Sequence, residues 1–186
     1  MKLFYFSSNV NKYNEIKELL PFPVHFQKAR FIKQQQTLDE TVLKKLKQLQ
    51  NLYYHQAMLV DSTSLEIAGL HGLPGPYIDA FLSLGYDNIE EIVKKVGRRA
   101  KVKNVLGLAL FDEFILFDGV CDGTIVETRG EYSSGFDKIF MLDRDCYTLA
   151  EHVFKERKVI SPRGHSVFYL LKYCEKNKIT HLFQED

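Results

Sequence analysis

Apolar positions follow two rhythms along the chain. Leu3-Phe4-Tyr5-Phe6 is apolar throughout, as a strand buried on both faces requires, and it gives way to the polar turn Ser7-Ser8-Asn9. From about Asn11 the spacing becomes helical: Tyr13, Ile16, Leu19 and Leu20 share one stripe, which Pro21 stops. A short strand is expected around Val24–Phe26. Helical spacing returns from Thr37 to about Gln50 through Leu38, Val42, Leu46 and Leu49. Thr37-x-x-Glu40 fits a capping box at its start. Met58–Val60 and Leu65-Glu66-Ile67 read as two further strands, with a turn-rich loop from Gly69 to Gly75. Two helical segments follow, near Tyr77–Leu84 and Asn88–Val96. Val102–Phe111 and Phe114–Cys121 form an expected hairpin around Asp112-Glu113, and Thr124–Thr128 and Ile139–Leu142 add strands. Ser161 to about Lys176 is the last helix, with Val167, Leu170, Leu171 and Cys174 on one face. Helices at the start, middle and end with strands between predict an α/β chain. The central hairpin makes its sheet mixed rather than purely parallel.

Length and composition narrow the setting. The chain has 186 residues, enough for one domain over 1–186 or one with a small second lobe, and no stretch reads as a linker or repeat. Lys+Arg number 25 against Asp+Glu 24, so no global field attracts nucleic acid or an anionic membrane. Hydrophobic residues make up 45%, too many for a disordered chain. Three scattered cysteines, at 121, 146 and 174, make no disulfide framework and no CxxC zinc pair. No apolar run reaches the length of a membrane span, and the amino terminus turns polar too early for a signal peptide. A soluble protein of a reducing, cytoplasmic setting is expected.

Five segments carry candidate chemistry, each with a plainer reading beside it. Ser7-Ser8-Asn9-x-x-Lys12 runs from a strand into a helix start, where free N–H groups and a lysine suit phosphate; it is also an ordinary helix cap. Asp61-Ser62-Thr63 follows a strand, where α/β sheets place their sites. Asp61 is suited to hold Mg²⁺ or orient water, or to cap a turn. Gly135-Phe136-Asp137 offers an aromatic to stack on a base and an acid to accept from its ring, or a core Phe and a turn Asp. In Ser161-Pro162-Arg163-Gly164, Ser161 is a good N-cap and Pro162 a good first helical residue; Arg163 binds a carbonyl or phosphate, or is solvated. The basic run Lys94, Lys95, Arg98, Arg99, Lys101 and Lys103 lacks aromatic interleaving and fits a solvated helix end better than a nucleic-acid contact. Leu73-Pro74-Gly75-Pro76-Tyr77 is a rigid turn whose physics is structural.

The order of these segments is more specific than any one of them. Ser7-Ser8-Asn9-x-x-Lys12 comes first, then Asp61-Ser62, then Gly72-Leu73-Pro74-Gly75-Pro76-Tyr77. Phe117-Asp118-Gly119 with Gly123, Gly135-Phe136-Asp137-x-Ile139-Phe140, Thr148-x-Ala150-Glu151 and Ser161-x-Arg163-Gly164 follow. In that order, from about residue 4 to 172, the chain resembles the inosine triphosphate pyrophosphatase family. The resemblance implies an elongated mixed β-sheet flanked by helices, in two lobes with a central nucleotide cleft, and a homodimer. It implies a nucleotide-binding hydrolase that uses Mg²⁺, or Mn²⁺, to convert the non-canonical purine nucleoside triphosphates ITP, dITP and XTP to the monophosphate and pyrophosphate. Neither nucleic acid nor a membrane is an expected partner.

Carried over, Ser8, Asn9, Lys12 and Lys45 are the implied phosphate contacts, with Ser62 and Arg157 also against substrate. Asp61 is the implied catalytic residue and metal ligand, with Glu40 a second metal ligand. Phe136 is the implied base-stacking residue, Asp137 its acidic neighbour and Arg163 the reader of a purine carbonyl. The departures fall on the chemistry. Lys33 aligns with a metal-binding glutamate, Ser62 stands where the family has a second acid, Pro162 replaces a base-selecting histidine, and Asp79 falls where eukaryotic members have a lysine. Mg²⁺ is usually held by one or two carboxylates plus phosphate oxygens, so the metal site is thinned. An enzyme with a rearranged site and a binding homologue that has lost hydrolysis both remain open, with nucleic-acid binding through residues 94–103 behind them.

Overall fold

The computed structural model describes residues 1–31, 37–53, 56–131, 133 and 135–184. Among them seven strands form one sheet: β1 Leu3–Ser7, β2 His25–Lys28, β3 Ala57–Ile67, β4 Pro74–Gly75, β5 Arg99–Leu110, β6 Glu113–Ile125 and β7 Phe140–Leu142. Their order is β2-β1-β3-β5-β6-β7, with β4 on β3. β1 is parallel to both β2 and β3, whereas β4 and β7 run antiparallel to their neighbours, so the sheet is mixed as expected. The helices are α1 Val10–Leu19, α2 Leu38–Gln50, α3 Ile78–Leu82, α4 Tyr86–Val96, α5 Phe154–Ile160 and α6 Pro162–Lys176. None is long and apolar enough to cross a membrane.

Three boundaries differ from the sequence pattern, each for a physical reason. The polar stretch from Asp61 to Ser64 does not break its strand. β3 stays extended because those buried groups find side-chain partners: Tyr5 and Lys12 donate to Asp61, and Asn104 donates to Thr63 at 2.9 Å. The hairpin turns at Phe111-Asp112, one residue early, because Phe111 takes the left-handed conformation at φ 54. A helix the pattern did not show, α5, precedes the expected last helix, which runs over Pro162–Lys176. Ser161 is extended, its hydroxyl accepts from Gly164 N–H at 3.0 Å as an N-cap, and Pro162 opens α6.

Contacts divide the chain into two compact units, residues 1–62, 105–118 and 166–186 in the first, 63–104 and 119–165 in the second. In the first unit α2 lays Leu38, Val42, Leu46 and Leu49 on Phe6, Met58, Val60, Val105 and Ala109. The Thr37–Glu40 capping box starts α2 as the sequence pattern requires. Bonds from the Thr37 backbone and hydroxyl hold the Glu40 carboxyl below its usual range, so this cap strengthens α2 above pH about 4.5 and fades as acid protonates it. The second unit packs Leu65, Ile67, Ile89, Val93, Val102, Ile125 and Phe140 together. Cys121 in the second unit and Cys174 in the first are buried, and burial pushes their thiols up to about 12 and about 11; Cys146 is exposed.

α2 approaches β5 closely at Gly107. A Cβ there would lie 2.4 Å from Val42 Cγ1 and 2.9 Å from Leu46 Cδ1. Gly107→Ala is therefore expected to overpack the core and lower the melting temperature by about 5 °C, measured by thermal unfolding. A shift within about 1 °C would mean that α2 gives way freely.

Candidate functional site

The first unit gathers its charged groups on Asp61. In the parallel pairing of β1 with β3, Tyr5 lies beside Leu59. Asp61, two residues further along β3, has its side chain on the same face as that of Leu59. The Tyr5 hydroxyl donates to Asp61 Oδ1 at 2.7 Å, and Lys12 Nζ from α1 reaches the same oxygen at 3.3 Å. Lys45 Nζ from α2 donates to the Asp61 carbonyl at 2.7 Å and lies over the Phe31 ring. Asp61 is 4% exposed and Tyr5 0%. Two ammonium groups brought to one residue suit a polyphosphate.

Around this cluster the other expected residues take these places. Asn9 is the N-cap of α1, its side chain accepting from Asn11 N–H at 2.9 Å, and Ser8 beside it is exposed. Glu40 is exposed, and its Oε2 accepts from Thr37 N–H at 2.9 Å and Thr37 hydroxyl at 3.0 Å. The capping box thus forms at the residue also expected to ligate metal. Ser62 follows Asp61 in β3 and is half-buried. Lys33 lies outside the described residues. Among the described residues no three His, Cys, Asp or Glu side chains form a metal-holding group. The Asp61 carboxylate is a hard oxygen donor of the kind that a phosphate-bound divalent ion takes. Tyr5 is the member of this cluster that the sequence pattern hid, since it sits in a run that reads as wholly apolar; a lone hydroxyl in such a run was the available signal.

In the second unit Asp137 and Arg157 come together. Arg157 NH1 donates to Asp137 Oδ2 at 3.2 Å, and the hydroxyl of Ser133, a residue the pattern did not single out, donates to the same oxygen at 2.5 Å. Both side chains of the ion pair are largely buried, 10% and 15% exposed. Phe136 meets Phe140 edge-on, with ring centroids 6.4 Å apart, and packs on the core. Arg163 is half-buried in the first turn of α6 beside buried Pro162, and Asp79 is exposed on α3.

Thr148-x-Ala150-Glu151 and Leu73-Pro74-Gly75-Pro76-Tyr77 shape backbone. Thr148 and Glu151 form a capping box, Glu151 Oε2 accepting from Thr148 N–H at 2.7 Å, and the Thr148 hydroxyl donates to the Arg129 carbonyl. Pro74 and Gly75 form β4, with Gly75 at φ 58 and a cis bond before Pro74. In the basic run, Lys94 pairs with Glu91, Arg98 with Glu90, Arg99 with Asp143, and Lys101 with Asp122. That is the arrangement of an ion-paired helix end and strand start.

The Asp137–Arg157 pair makes a thermodynamic cycle informative. Asp137→Ala removes the carboxylate from a largely buried ion pair and is expected to cost about 3 kcal/mol. Arg157→Met added to it should restore most of that loss, because the double variant buries no charge alone. Chemical denaturation of the two singles and the double checks this; additive losses would mean the pair contributes no coupling.

The description of the Ham1 family matches residues 3–173. The dITP/XTP pyrophosphatase of Christiangramia forsetii is 30% identical, over 95% of this chain and 100% of its own. The inosine triphosphate pyrophosphatase of Neurospora crassa is 33% identical over 92% of each chain. Among solved structures, a HAM1 protein from Coxiella burnetii superposes with a TM-score of 0.80 at 23% identity, covering 95% of this chain and 100% of its own. The Staphylococcus aureus Ham1 protein does so with a TM-score of 0.78 at 24% identity, with the same coverage. A match that spans nearly the whole chain, with relatives as long as itself, makes this protein a member of the Ham1 family.

Proposed function

We propose that the protein hydrolyses non-canonical purine nucleoside triphosphates, ITP, dITP and XTP, to the nucleoside monophosphate and pyrophosphate. The observation that carries this reading is the buried Asp61, with Lys12 on its carboxylate and Lys45 on its backbone carbonyl, in a chain whose relatives bear the names of such enzymes. Lys12 and Lys45 neutralise the phosphates, with Ser8, Asn9 and Ser62 as short polar donors beside them. Lys12 is the exchangeable partner. At 3.3 Å its bond to Asp61 is longer than the 2.7–2.9 Å usual for a charge-assisted pair, so it can pass to a phosphate oxygen. Asp61, with Glu40 as a second and weaker contributor, holds Mg²⁺ or Mn²⁺. The ion, when bound, polarises a phosphoryl oxygen and helps orient water. The family resemblance further assigns Phe136, Asp137, Arg157 and Arg163 to the substrate, Phe136 and Arg163 toward the purine. A cytoplasmic homodimer completes the proposal.

A second reading, a nucleotide-binding homologue without turnover, draws on Ser62. A serine hydroxyl is itself no general base near neutral pH, and such a base typically contributes about 10²–10⁴-fold. Pyrophosphate release from ITP, dITP, XTP, ATP and GTP separates the two. The wild type is expected to release it from the inosine and xanthosine nucleotides, and Asp61→Asn to lower the rate at least about 100-fold. Nucleotide-induced heat stabilisation without release from any of them would sink the enzyme reading. Glu40→Gln tests the second acid cleanly, because glutamine also serves a capping box. It should lower the melting temperature by no more than about 2 °C while raising the Mg²⁺ concentration for half-maximal rate by about threefold, where Asp61→Asn raises it by more than about tenfold. An unchanged Mg²⁺ requirement in Glu40→Gln assigns that carboxylate to the cap alone.

A further inference from the structure

We propose that Tyr5 is a positioning residue for Asp61, its phenol fixing the carboxylate in the orientation that meets a metal-bearing triphosphate. The inference rests on the pyrophosphatase reading for its substrate and on the geometry for its residue. Tyr5 is fully buried in a strand whose neighbours Leu3, Phe4 and Phe6 have no polar atom on their side chains. A phenylalanine would fill the same space without the cost of burying a hydroxyl. The hydroxyl instead donates to Asp61 Oδ1 at 2.7 Å, within the short range of bonds to ionised acceptors. Lys12 reaches the same oxygen at 3.3 Å from a half-exposed position on α1.

The two donors therefore differ in kind. Tyr5 and Asp61 stand on neighbouring strands of one sheet, paired in register through Tyr5 and Leu59, so neither side chain has much freedom left to lose. Lys12 hangs on a long flexible stem and is wanted by the substrate phosphates. When Lys12 moves to phosphate, Tyr5 remains as the donor that keeps Oδ1 where it is. Such supporting partners typically hold about 10–100-fold of metal affinity or activity.

The test compares the full-length parent with Tyr5→Phe, Lys12→Met, Asp61→Asn and the Tyr5→Phe/Asp61→Asn double variant. Two readouts are taken: kcat and KM for ITP hydrolysis with Mg²⁺, and Mn²⁺ binding in the presence of tripolyphosphate, followed by the paramagnetic resonance of free Mn²⁺. Tyr5→Phe is expected to lower kcat about tenfold with KM within about twofold, and to weaken Mn²⁺ binding about fivefold. Lys12→Met should raise KM instead. In the Asp61→Asn background, removing the phenol should change Mn²⁺ binding no further. The inference is overturned if Tyr5→Phe keeps both kcat and Mn²⁺ affinity within about twofold of the parent. It is overturned equally if removing the phenol weakens Mn²⁺ binding as much in the Asp61→Asn background as in the parent, or if the parent binds no Mn²⁺ with tripolyphosphate. Should Tyr5→Phe fold poorly, the comparison of Mn²⁺ binding at a temperature below its melting point still decides. A parent that binds Mn²⁺ but releases no pyrophosphate defeats the pyrophosphatase reading alone, and the Mn²⁺ arm then judges Tyr5 by itself.

Discussion

A carboxylate taken out of water must be met by donors or by cations, and Asp61 imposes that demand on the whole first unit. β1 answers with the Tyr5 hydroxyl, α1 with Lys12, and α2 with Lys45 on the carbonyl of the same residue. Three elements distant in sequence thus converge on one position of β3. Their apolar faces set how they pack, but the charge at residue 61 sets which polar groups those faces must deliver. Removing the charge would relieve the demand; removing a donor would weaken the answer to it. The arrangement is for that reason sensitive to single changes in a way that the surrounding leucines and valines, which tolerate volume-conserving exchange, are not.

The second unit places its buried charge differently. Arg157 and Asp137 neutralise one another, with Ser133 adding a further bond to the shared oxygen. Two pairs of the basic run are exposed by contrast. Arg99 with Asp143 and Lys101 with Asp122 sit where water and salt screen them, so they set surface chemistry more than stability.

Much of this was legible in the sequence because the signals are local. The alternation of strand and helix, the Thr37–Glu40 cap and the Ser161–Pro162 helix start follow from neighbours within four residues. The order of motifs pointed to the family that the whole-chain matches establish. What was hidden depends on partners far along the chain. β3 reads as two strands because Asp61, Ser62, Thr63 and Ser64 look like a turn, and partners remote in sequence, Tyr5, Lys12 and Asn104 among them, make an extended path acceptable. α5 was missed because a seven-residue helix offers too few turns for periodicity to show. Tyr5 was counted as apolar because its ring is; nothing local says where its hydroxyl goes. The motifs that identify the family most sharply, around Pro74–Gly75 and Thr148–Glu151, shape backbone rather than perform chemistry. A family can therefore be read from residues that are silent about turnover.

The three thiols supply a different kind of access to the molecule. Cys146 is exposed, while Cys121 and Cys174 are buried, one in each unit, with thiols whose ionisation is pushed far above neutrality. An alkylating reagent consumes thiolate, so at neutral pH it modifies Cys146 first and reaches the other two only in molecules whose unit has opened. Mass spectrometry of a labelling time course would then read the local opening of each half of the chain separately, from one sample and without any introduced probe.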